Sequence, residues 1–196
     1  MRNDRLLFEQ LEISLDAGQM LVVEGPNGCG KTSLLRILTG LRMADGGEIL
    51  WRGEPIDRLA GDYFEQVNYV VHHDGVKHEL SCLENLRLAR AMGAPSNIDL
   101  DDVLEQVNLY AYGETEVGSL SAGQKRRLAL ARLLATEATL WILDEPFTSL
   151  DKASMAMFSS IFERHLQQQG MIVMTSHHDI SLPQQALQRL QMGMPS

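Results

Sequence analysis

MLVVEGPNGCGKTSLLRIL, residues Met20 to Leu38, passes from an apolar strand-like run through a glycine-rich turn into an apolar helix-like run. Gly25 to Thr32 fit the pattern G-x-x-x-x-G-K-[ST] in the strand, loop, helix context that gives the pattern meaning. Glycines let successive backbone N–H groups turn inward around an anion, and the start of the following helix adds partial positive charge. The loop is therefore read as a phosphate cradle. Its nucleotide-binding residues are Gly25, Pro26, Asn27, Gly28, Cys29, Gly30, Lys31, Thr32 and Ser33. Lys31 is placed to reach the β- and γ-phosphates of a nucleoside triphosphate, and the Thr32 hydroxyl to ligate Mg²⁺.

Upstream, Leu11, Ile13 and Leu15 alternate with polar residues before a turn at Asp16 to Gln19, which predicts a β-hairpin feeding the loop. Downstream, Asp45-Gly46-Gly47 is expected to end the first helix. Glu48 to Trp51, Arg52-Gly53 and Glu54 to Ile56 then read as a second hairpin. Val67 to Val71, Leu140 to Leu143 and Met171 to Met174 read as further strands, with a helix from about Lys152 to Gln168. Between Asp74 and Leu120 apolar residues recur at three- and four-residue steps, among them Leu83, Leu86, Leu100, Val103, Leu104 and Val107. Strands alternating with helices predict an α/β fold with a parallel, two-faced sheet, in a single domain spanning 1–196. An antiparallel edge and a helical subdomain at approximately 74–135 complete the expected architecture.

The bulk composition narrows the function classes. The 196 residues, 44% of them hydrophobic, suffice for one substantial core. Seventeen Lys and Arg against 26 Asp and Glu give a net charge of -9, which provides no broad basic surface and argues against nucleic acid. No apolar run is long enough for a membrane span and the first ten residues lack the apolar centre of a secretion signal, so a soluble, cytoplasmic chain is expected. Cys29 and Cys82 lack metal-ligand spacing and are read as reduced thiols.

Leu140-Trp141-Ile142-Leu143-Asp144-Glu145 supplies acids that the loop lacks. Four apolar residues bury a strand and leave two carboxylates at its C-terminal end, where α/β sheets hold their ligands. Asp144 suits the Mg²⁺ shell, and Glu145, one residue on, suits the general base for water attacking the γ-phosphate. Leu120-Ser121-Ala122-Gly123-Gln124-Lys125-Arg126-Arg127 is a third motif, with Ser121 an N-cap whose helix directs free N–H groups outward.

In this order, the three segments resemble those of the ATP-binding cassette ATPases, a family of P-loop NTPases, over nearly the whole chain. The resemblance implies ATP as substrate, Mg²⁺ as cofactor and an ATP-dependent homodimer in which Ser121, Gly123 and Gln124 of one copy grip the γ-phosphate held by the other. It implies that Ser149-Leu150-Asp151 touches the opposite subunit and that His177 is the switch histidine on the γ-phosphate, alongside catalytic Glu145 and Lys31. Leu140 to Thr148, Leu80 to Leu86 and the Ser-Ala-Gly-Gln of 121–124 are similar to segments of the haem-export, cytochrome c biogenesis branch (the CcmA type). That likeness implies an integral membrane permease partner of the CcmB type and a peripheral position on the cytoplasmic face of the bacterial inner membrane. The groove near His73 and the helix carrying Leu83 and Leu86 is then where the partner docks.

Four departures stand out. Ala122 replaces the usual glycine. His73 occupies the place of a glutamine that touches Mg²⁺ or the attacking water, so turnover is expected to fall below about pH 6.5 more steeply than in a His73→Gln variant. Only five residues precede Leu6, and none is aromatic, so a start upstream of Met1 and an adenine-stacking residue beyond it are expected. Cys29 stands where alanine is usual; it is read as a small residue filling a small space, with alkylation expected to inhibit and ATP to protect. Two other readings are a non-transport cassette ATPase of DNA repair or chromosome organisation and a non-catalytic nucleotide-binding module.

Overall fold

A computed structural model of the chain describes residues 8–59, 61–71, 75–176 and 186–193. The strands are Met20–Glu24 (β1), Leu50–Trp51 (β2), Glu54–Pro55 (β3), Val67–Val70 (β4), Leu140–Leu143 (β5), Met171–Thr175 (β6) and Leu187–Gln191 (β7). The helices are Lys31–Leu38 (α1), Ile56–Leu59 (α2), Gly61–Glu65 (α3), Cys82–Met92 (α4), Leu100–Gln106 (α5), Ala122–Ala135 (α6) and Lys152–Gln167 (α7).

Strand parity builds two cores from one sheet. Side chains alternate between the faces of a strand, and here Met20, Val22, Trp141, Leu143, Ile172 and Met174 join the cluster that includes Leu86, Val103, Leu130, Phe158 and Phe162. Their neighbours Leu21, Val23, Leu140, Ile142 and Val173 face the other way, onto Leu34 and Leu35 of α1. Apolar material on both faces explains why these strands read as unbroken hydrophobic runs, as parallel sheets require.

The main sheet has five strands in the order β4-β5-β6-β1-β7, and every pairing in it is parallel. This order sets the site, because the ends of β5 and β1 lie on either side of the end of β6. β7 is an element that the sequence pattern did not disclose, since Gln188, Arg189 and Gln191 interrupt its apolar residues.

The predicted hairpin at 48–56 forms: β2 and β3 pair antiparallel around Arg52 and Gly53, both at positive φ of 54° and 85°. Positive φ at both turn residues is what a two-residue hairpin needs to match strand twist. The hairpin predicted upstream does not form. β1 is flanked by β6 and β7 and has no free edge, while Leu11 and Leu15 pack instead as side chains against the α1-side core. Only its turn survives, closed by Gln19 N–H donating to the Asp16 carbonyl at 3.1 Å.

The first helix also ends earlier than expected, at Leu38 rather than at Asp45-Gly46-Gly47. Gly40 N–H donates to the Ile37 carbonyl at 2.9 Å, and the chain turns away there against Phe64, whose ring would lie 2.8 Å from a Cβ at Gly40. Between residues 82 and 135 the helices α4, α5 and α6 are joined by loops and short 3-10 turns. α4 and α6 open with the same device, a capping box: Ser81 with Glu84, and Ser121 with Gln124.

Candidate functional site

Gly25 opens the glycine-rich loop at φ 149°, and a Cβ there would lie 2.5 Å from the Met192 carbonyl oxygen and 2.9 Å from Cys29 Sγ. The residue after β1 must therefore be glycine for the chain to pass beneath β7 and turn. Cys29 lies behind the loop, fully buried in the α1-side core. Its placement supports a space-filling role.

Lys31, 8% exposed, folds its ammonium back into the loop, where Nζ donates to the carbonyls of Gly25 at 2.6 Å and Pro26 at 3.3 Å. A cation thus sits at the place the cradle is shaped to offer an anion. One residue on, Thr32 Oγ1 donates to Asp144 Oδ2 at 2.8 Å and joins the loop to the end of β5. Asp144 Oδ1 accepts from Thr175 Oγ1, also at 2.8 Å, and the same hydroxyl accepts the Glu145 N–H at 2.8 Å. Both Asp144 and Thr175 are buried, at 3% and 0% exposure. A hydroxyl that donates to one neighbour and accepts from the next uses both its capacities.

This chain of bonds sets Glu145. Its backbone lies in the left-handed region at φ 49°, which is uncommon for a residue with a Cβ and turns the side chain out of the line of β5. Glu145 as a residue is half-buried, and its Oε1 is buried. Ser149, four residues later, adopts φ 65°, and Asp151 caps α7 by accepting the Ser154 N–H at 2.7 Å. That backbone hydrogen bond holds the Asp151 carboxyl below the usual carboxylate range.

The turn at 121–124 packs beside the loop that follows Glu145. Ser121 is exposed; its Oγ accepts the Gln124 N–H at 3.3 Å, and its own N–H donates to Gln124 Oε1 at 2.8 Å. Gly123 packs so closely on the 149–151 loop that a Cβ would lie 3.1 Å from the Ser149 carbonyl oxygen. Gly123 cannot be enlarged without moving that loop, whereas Ala122 is exposed and its methyl is accommodated.

The structure thus brings Lys31, Thr32, Asp144 and Glu145 together, and sets Ser121, Gly123 and Gln124 beside the loop that follows Glu145. His73 and His177 lie outside the described residues. Two functional candidates escaped the sequence reading. Thr175 is the last residue of an apolar strand, and a lone polar residue at that end was its only signal. Arg126 is 1% exposed and donates to the carbonyls of Val71, Asp144, Glu145 and Pro146 at 2.7–3.0 Å. Its signal was a charge in helical register with the apolar stripe Ala129, Leu130 and Leu133.

The donor set fits a small hard cation. A hydroxyl and a carboxylate held together, with the rest of the shell left to phosphate and water, is the sparse protein contribution that Mg²⁺ takes. Among the described residues no cluster of three His, Cys, Asp or Glu side chains offers a denser cage.

The ABC transporter family profile matches residues 8–148. The chain is 45% identical over 197 residues to the cytochrome c biogenesis ATP-binding export protein CcmA of Nitrosospira multiformis, covering 98% of this chain and 94% of that protein. The CcmA of Methylococcus capsulatus is 47% identical over 184 residues, covering 93% of this chain and 89% of its own length. Among solved structures, a putative ABC transporter ATP-binding protein from Pyrococcus furiosus superposes with a TM-score of 0.82 at 24% identity, over 95% of this chain and 92% of that one. The dimeric structure of MJ0796, a bacterial ABC transporter cassette, superposes with a TM-score of 0.78 at 21% identity, over 93% and 85% of the two chains.

Proposed function

Since the chain belongs to the ABC transporter family, we propose that it is the ATP-hydrolysing subunit of an exporter serving cytochrome c biogenesis. The observation that carries the hydrolytic part of this reading is the bonded series Thr32, Asp144, Thr175 and Glu145 N–H, which fastens a phosphate-binding loop to a poised carboxylate. The export role rests on relatives named for it at 45–47% identity.

In this reading the N–H groups of residues 25–33 and the Lys31 ammonium bind the phosphates of ATP. Thr32 and Asp144 hold Mg²⁺, which supplies charge neutralisation on the phosphate oxygens. The Glu145 carboxylate takes a proton from water as the water oxygen bonds to the γ-phosphorus and the bond to ADP breaks. His73 and His177 are proposed as additional contacts, to metal or attacking water and to γ-phosphate respectively. Ser121, Gly123 and Gln124 complete the site of a second copy, so two ATP molecules join a homodimer. The dimer in which the MJ0796 cassette was solved supports that arrangement.

No helix among the described residues is long and apolar enough to cross a membrane, and the proposed partner is a CcmB-type permease holding the dimer on the cytoplasmic face of the inner membrane. In the helical subdomain proposed at 74–135, Leu83 and Leu86 face the core. A separate cleft exposes Met92 of α4 and Phe64 of α3, at 78% and 51%, beside Tyr69 and Arg132.

The test is Glu145→Gln. Turnover should fall by ~10²-fold or more with ATP affinity preserved, and the ATP-loaded variant should run as a dimer. Near-normal hydrolysis would falsify the assignment.

A further inference from the structure

Arg126 carries a consequence beyond the residues that meet nucleotide. Its guanidinium is almost wholly buried, yet the bonds described above end on main-chain carbonyls rather than on a single carboxylate. Nε donates to Pro146 O at 3.0 Å, Nη2 to Asp144 O at 3.0 Å and Glu145 O at 2.7 Å, and Nη1 to Val71 O at 2.9 Å. Three successive carbonyls, those of 144, 145 and 146, therefore converge on one planar fork. The middle residue of the three, Glu145, lies at φ 49°. The fork holds a backbone shape that sterics alone disfavour.

The other end of the side chain is equally placed. Arg126 lies two residues beyond Gln124, within the first turns of the helix whose capped start presents Ser121 and Gly123. Val71, its fourth partner, directly precedes the segment containing His73. One side chain thus joins the start of α6, the backbone of Glu145 and the strand end leading to 72–74. A buried guanidinium deprived of its acceptors loses several charge-assisted bonds together, so these parts move as one or lose all of them.

We propose that Arg126 is a positioning residue for hydrolysis: by gathering the carbonyls of Val71, Asp144, Glu145 and Pro146 it holds the Glu145 carboxylate in its working orientation and makes that orientation depend on the seating of α6. The proposal rests on the ATPase reading above. Nucleotide binding at one copy's loop does not pass through Arg126, whereas the hydrolytic step does.

The experiment compares Arg126→Lys, Arg126→Gln, Glu145→Gln and the double variant Arg126→Gln/Glu145→Gln with the unaltered full chain. Each is assayed for folding by thermal melting, for ATP affinity with a fluorescent ATP analogue, and for kcat and KM. Arg126→Gln should lower kcat by ~30-fold or more with ATP affinity within about threefold. Arg126→Lys, which keeps the charge and reaches fewer carbonyls, should recover part of that loss. In the Glu145→Gln background the Arg126 substitution should lower the residual rate by less than about twofold, because both changes act through one carboxylate. A kcat near that of the unaltered chain, an undiminished loss in the Glu145→Gln background, parallel loss of ATP affinity, or failure of both Arg126 variants to fold would overturn the proposal. The outcomes remain separable from those for the function itself, since an inactive unaltered chain or an active Glu145→Gln chain counts against the ATPase reading whatever Arg126 does.

Discussion

At the scale of single residues, Thr175 tests whether the site is a bonded whole. Its hydroxyl serves Asp144 and the Glu145 N–H together and is fully buried, so Thr175→Val leaves an acceptor and a donor unmet at nearly constant volume. Stability should drop by about 1–3 kcal/mol in urea unfolding, and kcat by about tenfold or more. A chain of unchanged stability and rate would show the bridge to be incidental. His165 makes a different demonstration. It stacks on Trp141 with ring centroids 3.7 Å apart, and burial pushes its pKa below 6.5, against smaller opposing effects from the backbone at Thr139 and Met171. The unfolded chain therefore takes up a proton at a pH where the folded chain does not. The stability from neutral His165 is present above the unfolded value and is lost as pH falls from there through the folded one. Between about pH 7.5 and about pH 5.5 the unaltered protein should lose more melting temperature than His165→Phe; equal losses would exclude His165 as the source.

Among elements, the two capping boxes separate structure from function. Ser81 and Ser121 start α4 and α6 with the same reciprocal bonds, but Ser81 is buried and Ser121 exposed. Ser81→Ala should cost about 1 kcal/mol of stability and leave ATP-dependent dimerisation intact. Ser121→Ala should cost a similar amount of stability and also weaken the ATP-loaded dimer of Glu145→Gln, read as dissociation at lower protein dilution. Equal effects on dimerisation would make the signature turn an ordinary cap. Elements set by their own residues were legible: α4, α6, α7 and the 50–55 hairpin follow from caps, periodicity and a two-residue turn. Elements set by distant partners were not. The alternation at Leu11, Ile13 and Leu15 is real, yet β1 pairs with Ile172 and Leu187 at the far end of the chain, and nothing near residue 11 announces that competition. β7 was missed for the converse reason, because an edge strand buries too little to need an apolar run.

For the whole molecule, the order β4-β5-β6-β1-β7 places the ends of β1 and β5 about the end of β6, and residues more than a hundred positions apart become one site. The glycine-rich loop with Lys31 and Thr32, the paired acids Asp144 and Glu145, and the capped turn at Ser121 are each written in a few contiguous residues, so each motif was legible by itself. The folded chain alone decided that Thr175 bridges Asp144 to Glu145 and that Arg126 gathers four carbonyls from two strand ends. Contacts of that kind arise when separate segments pack and every buried polar group must find a partner, and local sequence carries no record of which segments will meet.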